Sequence, residues 1–252
     1  MMYDFLRWYL ARPVLRLALR PTVTGLDRLP PTGALILAGN HIAAGDSWPI
    51  PILVRRRIVQ PAKLDFYKAK NIKGRLLARF LQWSGQVPID TRGGKGAQAS
   101  LQALVDVLSV GDIVGIFPEG TRSPDGRLYR FHTGVARLAL STGAPVYPLG
   151  CVDTRLKHGF LGLPTLRDAH YTIGAPLDFS RYNGRQGEKA VLRYVTDEIA
   201  AAVQAITGQT YVDVYARRVK SGELTLEQTA AYVREHPGGG PAPAVGAVDE
   251  DG

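Results

Sequence analysis

Cysteine is almost absent from this chain of 252 residues, which contains only Cys151. A single cysteine cannot form an internal disulfide, and no N-terminal stretch combines a charged start, an apolar core and a cleavage site. Long apolar runs are also lacking, because arginines from Arg7 to Arg20 interrupt the only hydrophobic N-terminal stretch. A bilayer-spanning helix needs roughly 18 continuous apolar residues. We therefore expect a reducing, cytoplasmic setting and no membrane-spanning segment.

Acidic residues are scarce in the first third of the chain. Residues 1–80 hold 14 Lys and Arg against 4 Asp and Glu, a net charge of +10, whereas the rest holds 17 against 18, a net charge of −1. This asymmetry predicts a negatively charged partner, either nucleic acid or an anionic membrane surface. Zinc-finger spacings, aromatic RNA-binding signatures and KH-type glycine loops are missing. The composition therefore favours a membrane surface with anionic lipids and no nucleic acid.

Basic and apolar side chains alternate at helical spacing in the N-terminal segment, residues 1–25. The basic stripe of this segment consists of Arg12, Arg16 and Arg20. With Trp8 and Tyr9 nearby, the pattern predicts an amphipathic helix in a membrane interface, kinked or divided at Pro13. The alternative is a helix that packs on its own domain and turns its arginines to solvent.

Apolar runs of strand length alternate with segments of helical period along residues 26–236. The expected strands are "GALILAGN", "RRRIVQPAK", "GQVPID", "IVGIF", "PVYPLG" and "AHYTIGAPLD". The expected helices are "IKGRLLARFLQWSG", "GAQASLQALVDVLSVGD", "TGVARLALSTG", "EKAVLRYVTDEIAAAVQAITG" and "LTLEQTAAYVREH". This alternation predicts one α/β domain with a mixed, mostly parallel central sheet flanked by helices. Residues 237–252 have too few large apolar groups to fold and are expected to form a disordered tail.

A histidine and an aspartate follow the first expected strand, at the edge where open α/β sheets place their ligands. A histidine titrates near neutral pH, so a nearby carboxylate makes His41 with Asp46 a plausible base. The alternative for this pair is a helix cap beside a polar loop residue. Five residues turn a helix by about 140°, so the two side chains would not share a helical face. We expect Gly45 to let the chain bend the carboxylate back toward the ring.

A second group of polar residues follows the strand "IVGIF", in the turn-rich segment "PEGTRSPDG". These residues, which we expect at one edge of the sheet, are Glu119, Gly120, Thr121 and Arg122. The planar fork of arginine suits phosphate or carboxylate, and glycine lets a ligand approach the backbone closely. The alternative is an ordinary turn with a surface Glu–Arg pair.

Taken together, these segments resemble the lysophospholipid acyltransferase family typified by 1-acyl-glycerol-3-phosphate acyltransferases. "NHIAAGD" is similar to the family's first motif, His-x4-Asp, and "FPEGTRS" to its third, Phe-Pro-Glu-Gly-Thr-Arg. "GQVPID" and "APVYPLG" resemble the second and fourth blocks, in the expected order. The resemblance runs from about Gly33 to Asp178 and implies a glycerol-3-phosphate-acyltransferase-like fold.

The resemblance also implies roles for individual residues. His41 would be the general base that takes the proton of an acceptor hydroxyl as it attacks a thioester, and Asp46 would orient it. The implied substrate-binding residues are Lys63, Arg92, Glu119, Gly120, Thr121 and Arg122, with phosphate contacts from Arg122 and Lys63. The family's second motif usually ends in Asp-Arg, whereas this chain has Asp90-Thr91-Arg92. Arg92 would therefore reach the site only through a shift of one residue.

The implied reaction moves a fatty acyl group from acyl-CoA or acyl carrier protein to the hydroxyl of a lysophospholipid. The first expected acceptor is 1-acyl-glycerol-3-phosphate, which gives phosphatidic acid. We expect no metal and no cofactor, and a peripheral location on the cytoplasmic face of the cell membrane. The alternatives are another acceptor, such as a glycolipid mannose or a lyso-aminolipid, and a non-catalytic lipid-binding protein.

Overall fold

The computed structural model describes residues 9, 11–68, 71–83, 86–89, 94–158 and 164–244. Its strands are β1 (Thr22–Thr24), β2 (Leu35–Gly39), β3 (Ile58–Val59), β4 (Pro61–Lys63), β5 (Val87–Ile89), β6 (Ile113–Ile116), β7 (Leu128–Tyr129), β8 (Val146–Val152), β9 (Lys157–His158), β10 (Pro164–Thr165), β11 (His170–Ile173), β12 (Tyr211–Val212) and β13 (Val233–Arg234). Its helices are α1 (Arg12–Val14, continued by a π-helical turn over Leu15–Leu19), α2 (Pro49–Leu53), α3 (Leu64–Tyr67), α4 (Ile72–Trp83), α5 (Gly94–Ser109), α6 (Gly134–Thr142), α7 (Lys189–Thr207) and α8 (Ala216–Lys220).

The central sheet has six strands in the order β1-β11-β8-β2-β6-β3. All neighbouring pairs are parallel except β8 and β11, which are antiparallel. The predicted mixed, mostly parallel sheet is therefore confirmed. Every residue of β2 is buried, because this strand lies inside the sheet and both faces of the sheet are covered.

Alternate side chains of β2 enter two separate hydrophobic clusters. Ile36 and Ala38 pack with apolar residues of α5, α6 and α7 on one face of the sheet. Leu35 and Leu37 pack on the other face with residues of α1 and α2. This alternation follows from the two-residue period of a strand, and it places helices on both faces.

The N-terminal helix α1 packs on the domain. Leu15 is 0% exposed and Leu19 is 9% exposed, and both belong to the cluster on the α2 face of the sheet. The opposite side exposes Leu17, and the helix changes from α to π geometry just after Pro13. The structure thus realises the alternative of a helix packed on its own domain, and the predicted membrane contact stays a prediction. Among the described helices, none combines the length and the hydropathy that crossing a bilayer requires.

The last predicted helix, "LTLEQTAAYVREH", is wrong. This segment forms a 3-10 turn over Gln228–Tyr232 and then the strand β13, which pairs with β12. The main-chain N–H of Asp213 donates to the carbonyl of Tyr232 at 2.9 Å, so backbone pairing outweighs the helical period. Short strands β13, β12 and β7 form a small sheet of their own.

The first part of the predicted tail lies against the domain. Pro237 is buried, the Tyr182 hydroxyl donates to the carbonyl of Pro243 at 3.2 Å, and Arg185 donates to the carbonyl of Ala244 at 2.8 Å. Residues 237–244 therefore contact the domain, and the predicted disorder of the tail stays a prediction. The remainder of the predicted tail, 245–252, lies outside the described residues.

Candidate active site

Three parallel strands bring polar residues to one edge of the sheet. His41 follows β2, Glu119 follows β6 and Thr154 follows β8, and these three strands are neighbours with β2 in the middle. Because the carboxyl ends of parallel strands meet at the same edge, residues more than a hundred positions apart converge there. The main-chain N–H of Ser123 donates to the carbonyl of His41 at 2.6 Å and joins two of these loops.

His41 and Asp46 form the pair that the sequence predicts. Nδ1 of His41 lies 2.7 Å from Oδ2 of Asp46. The same oxygen accepts hydrogen bonds from the main-chain N–H groups of Ile42, at 2.6 Å, and Ala43, at 2.8 Å. The Asp46 side chain is fully buried, whereas 18% of the His41 side chain is exposed. A carboxylate held on Nδ1 keeps the ring proton there and leaves Nε2 as the basic atom.

The second oxygen of Asp46 accepts a hydrogen bond from the segment that follows β8. The hydroxyl of Thr154, which is fully buried, donates to Oδ1 of Asp46. The Tyr171 hydroxyl donates at 2.8 Å to the carbonyl of Gly45, the residue before Asp46. The 3-10 turn Ala44–Asp46 is thereby fixed by a residue of β11 and by a residue that follows β8.

Gly45 serves a different purpose from the one the sequence suggests. Its φ is not in the positive range, so no special backbone freedom is used to bend the chain. A Cβ at this position would instead overlap the carbonyl oxygen of Thr154. Glycine is required because the turn that carries Asp46 lies directly against the backbone of Thr154, just after β8.

The His41 ring is oriented by an aromatic neighbour as well. It stacks on Phe117 with the ring centroids 4.4 Å apart and an angle of 18° between the planes. Phe117 directly follows β6, so the ring is held between the ends of two strands. The stack and the Asp46 bond together leave the imidazole little rotational freedom.

Glu119 is a buried residue whose side chain links two segments by hydrogen bonds. It is 1% exposed, its Oε1 accepts from the main-chain N–H of His41 at 2.8 Å, and its Oε2 accepts from that of Tyr129 at 3.2 Å. Burial raises the pKa of Glu119 from its usual 4.5 to about 8, and the negative charges of Asp46 and Asp125 act in the same direction. The two N–H bonds oppose this shift but do not cancel it.

Asn40, which precedes the histidine, ties the site to the C-terminal part of the chain. Its Nδ2 donates at 2.8 Å both to the carbonyl of Cys151 and to Oε1 of Gln209, and its Oδ1 accepts from the N–H of Cys151 at 2.7 Å. Gln209 in turn donates to the carbonyl of Gly126 at 2.6 Å. Sequence reasoning missed Asn40 and Thr154, because their partners are 108 to 169 residues away. The only local signal was that Asn40 adjoins the histidine.

An open cleft of about 430 Å³ lies beside this pair. Its lining residues are Ile42, Ala43, Ala44, Gly45, Arg122, Ser123, Pro124, Arg155, Leu156 and Lys220. Three of them are cationic. None of these three forms an ion pair with a carboxylate within the part of the chain that the structure describes. Arg155 and Lys220 were not predicted from the sequence.

The other predicted substrate-binding residues lie around this cleft, except for one that is outside the described residues. Lys63 is exposed at the end of β4 and is close enough to Lys220 to lower its pKa. Thr121 accepts a hydrogen bond from Lys220 at 3.3 Å. Gly120 has a φ of 70°, and a Cβ there would approach the His132 ring at 3.1 Å, so this glycine is needed for the turn. Arg92 lies outside the described residues.

The fold and the site define an α/β protein with a hydrogen-bonded histidine–aspartate pair beside a cationic cleft. Residues 20–152 match the family described as Acyltransferase, and the chain belongs to that family. In the described ranges, no group of three or more His, Cys, Asp and Glu side chains is arranged to hold a metal ion.

Two similar proteins share the name 1-acyl-sn-glycerol-3-phosphate acyltransferase. The chain is 30% identical over 132 residues to a 1-acyl-sn-glycerol-3-phosphate acyltransferase of Borreliella burgdorferi, covering 52% of this chain and 51% of the relative. It is 37% identical over 137 residues to the chloroplastic 1-acyl-sn-glycerol-3-phosphate acyltransferase LPAT1 of Arabidopsis thaliana, covering 52% and 36%. The chain thus spans about half of the length of the first relative and about a third of the second.

One solved structure is also similar. It is the 1-acyl-sn-glycerophosphate (LPA) acyltransferase PlsC of Thermotoga maritima, with 22% identity, a TM-score of 0.49 and coverage of 75% of this chain and 72% of that one.

Proposed function

We propose that this protein transfers a fatty acyl group from a thioester, acyl-CoA or acyl carrier protein, to the free hydroxyl of 1-acyl-glycerol-3-phosphate, giving phosphatidic acid. The observation that carries the proposal is the contact of 2.7 Å between His41 Nδ1 and Asp46 Oδ2 at the rim of a cationic cleft. The names of the relatives support this acceptor.

His41 acts as the general base. A glycerol hydroxyl is a weak nucleophile, and it attacks a thioester carbonyl faster when a base accepts its proton as the new bond forms. Asp46 keeps the proton on Nδ1 and stabilises the imidazolium that arises during transfer. The collapse of the tetrahedral intermediate then expels the thiolate, which takes the proton from His41 to leave as a thiol.

Arg122 binds the phosphate of the acceptor. It is exposed, lines the cleft with Ile42 and Ala43, and follows the turn that Glu119 ties to the backbone of His41. A guanidinium offers two parallel N–H donors to a phosphate, which fixes the orientation of the acceptor as well as its position. The acceptor hydroxyl is thereby brought toward the base.

An acceptor panel tests this proposal. The protein is incubated with labelled acyl-CoA or labelled acyl carrier protein and with one acceptor at a time: 1-acyl-glycerol-3-phosphate, a lyso-aminolipid, a mannose glycolipid or monoacylglycerol. We expect label to enter phosphatidic acid at the highest kcat/KM. Faster labelling of another acceptor would reassign the substrate, and label in none of them would contradict acyl transfer.

We also propose that the protein docks on anionic membrane surfaces through its basic first third. Two helices there expose apolar side chains: Leu17 of α1 is 70% exposed, and Ile72 and Leu76 of α4 are 73% and 63% exposed. Exposed arginines accompany them, Arg16 beside Leu17 and Arg75 beside Leu76. Apolar insertion combined with attraction to anionic headgroups is how interfacial helices bind.

Vesicle sedimentation tests this docking. We expect stronger binding to vesicles containing an anionic phospholipid than to neutral ones, and weaker binding for Leu17→Gln and Leu76→Gln. Val110→Gln is the matched control, because Val110 is 74% exposed at the end of α5, outside the basic third. Equal binding by all three variants would contradict docking through these helices.

A further inference from the structure

We infer that Lys220, from the C-terminal part of the chain, is a positioning residue that binds the phosphate of the acceptor together with Arg122. Lys220 is the last residue of α8 and lies outside residues 20–152, which match the family. Its Nζ lies 3.3 Å from Oγ1 of Thr121, in the same turn as Arg122, and both cations line the same cleft. The inference rests on the proposed function of this cleft.

Lys220 stands among cations and lacks a carboxylate partner within the described residues. The preceding basic residue of the helix, Arg218, is paired with Glu223 at 2.6 Å. For Lys220, burial lowers the pKa, the charges of Arg122 and Lys63 lower it further, and the charge of Glu119 opposes this shift without cancelling it. An ammonium group held beside two other cations is destabilised until an anion arrives. Such a cluster suits a phosphate that carries nearly two negative charges.

The small C-terminal sheet holds Lys220 in this place. β12 pairs with β7, and Val212, Val214 and Ala216 pack with Tyr129 in a hydrophobic cluster of their own. Val219, next to Lys220, is half-buried against this cluster. The segment is therefore anchored to β7, so packing fixes the backbone that carries the exposed Lys220 side chain.

The same anchor connects this segment to the catalytic pair. Tyr129 of β7 donates its N–H to Glu119, and Glu119 accepts from the N–H of His41. The strand on which the Lys220 segment packs and the loop that carries His41 are thus joined through the buried side chain of Glu119. Because the Lys220 segment and the His41 loop are held relative to each other, the site favours an acceptor whose phosphate and free hydroxyl match their separation.

Kinetics with matched acceptors test the inference. Lys220→Met and Lys220→Arg are compared with the wild type on 1-acyl-glycerol-3-phosphate and on monoacylglycerol, which lacks the phosphate. We expect Lys220→Met to raise KM for the phosphorylated acceptor about tenfold, with kcat nearly unchanged and no effect on monoacylglycerol. Lys220→Arg, which keeps the charge, is expected to restore most of the affinity. Lys189→Met is the control lysine, because Lys189 is exposed at the start of α7.

A binding measurement separates this inference from the function on which it rests. Titration of wild type and Lys220→Met with 1-acyl-glycerol-3-phosphate, without donor, reports affinity even if no turnover is found. A roughly tenfold weaker Kd for the variant, with an unchanged Tm, supports the phosphate contact. An unchanged Kd and KM would overturn the role of Lys220 while leaving acyl transfer intact, and equal losses on both acceptors would also overturn it.

Discussion

Nδ1 of His41 lies 2.7 Å from Oδ2 of Asp46, although the two residues are joined by a 3-10 turn and share no helical face. The contact depends on β8, because Thr154 binds the other oxygen of Asp46 and its backbone lies against Gly45. The geometry of the His41–Asp46 pair is therefore fixed by the sheet rather than by the motif alone.

Asp46→Asn should lower kcat by about 10²- to 10⁴-fold, with the fold retained, because an amide no longer stabilises the imidazolium. The measurement is the rate of phosphatidic acid formation, with circular dichroism as the check of folding. A loss confined to KM would show that Asp46 acts in acceptor binding instead.

Thr154→Val should destabilise the protein by about 1–3 kcal/mol, because Oδ1 of buried Asp46 loses its hydroxyl donor. Thr154→Ser keeps the hydroxyl and is the matched control. The free energy of unfolding in urea and kcat are both measured, and kcat should fall only for the valine variant. Equal stability of the two variants would mean that the Thr154 hydroxyl does not hold Asp46.

Gly45→Ala should cost about 1–3 kcal/mol and reduce activity, since the added methyl group overlaps the Thr154 carbonyl and displaces the turn that carries Asp46. Gly187→Ala is the control, because a Cβ there meets nothing within 4 Å. Urea denaturation of both variants checks this, and a Gly45→Ala protein as stable and active as the control would contradict the close approach.

The free energy of unfolding should decrease as pH rises, because Glu119 titrates at a higher pH in the folded protein than in the unfolded chain. Its pKa is raised from 4.5 to about 8, so between these values the folded protein binds a proton that the unfolded chain releases. The free energy of unfolding therefore decreases as pH rises across this window, by up to about 1.4 kcal/mol per pH unit.

Glu119→Gln isolates this contribution, because glutamine does not titrate. The variant is expected to be less stable, since its NH₂ group faces a main-chain N–H donor. The difference in unfolding free energy between wild type and variant should shrink from pH about 4.5 to about 8. A difference that stays constant or grows over that range would show that Glu119 is ionised in the folded protein.

The sheet and the contact between His41 and Asp46 could be predicted from the sequence because both leave local patterns. Helices α4 to α7 have amphipathic periods, β2 and β6 are short apolar runs, and His41 with Asp46 belongs to a motif. The two-residue strands β7, β12 and β13 have no period long enough to recognise, so the C-terminal sheet was missed. Lys220 could not be predicted for the same reason, because it is far from Arg122 in sequence and reaches the same cleft only through that sheet.

Contacts between distant strands account for the rest. Nothing near Thr154 marks it as a ligand of Asp46, since the relation exists only where β8 lies beside β2. Gly45 is different, because the residue itself lies within the motif. The reason for a glycine there, the space taken by the Thr154 carbonyl, exists only in the folded protein.

The most direct measurement is the initial rate of thiol release from acyl-CoA in the presence of 1-acyl-glycerol-3-phosphate, for wild type and His41→Ala. If His41 is the base, the variant folds with the same Tm and its rate falls by about 10²-fold or more. A folded His41→Ala protein that keeps a rate within about threefold of the wild type would contradict general-base catalysis by His41.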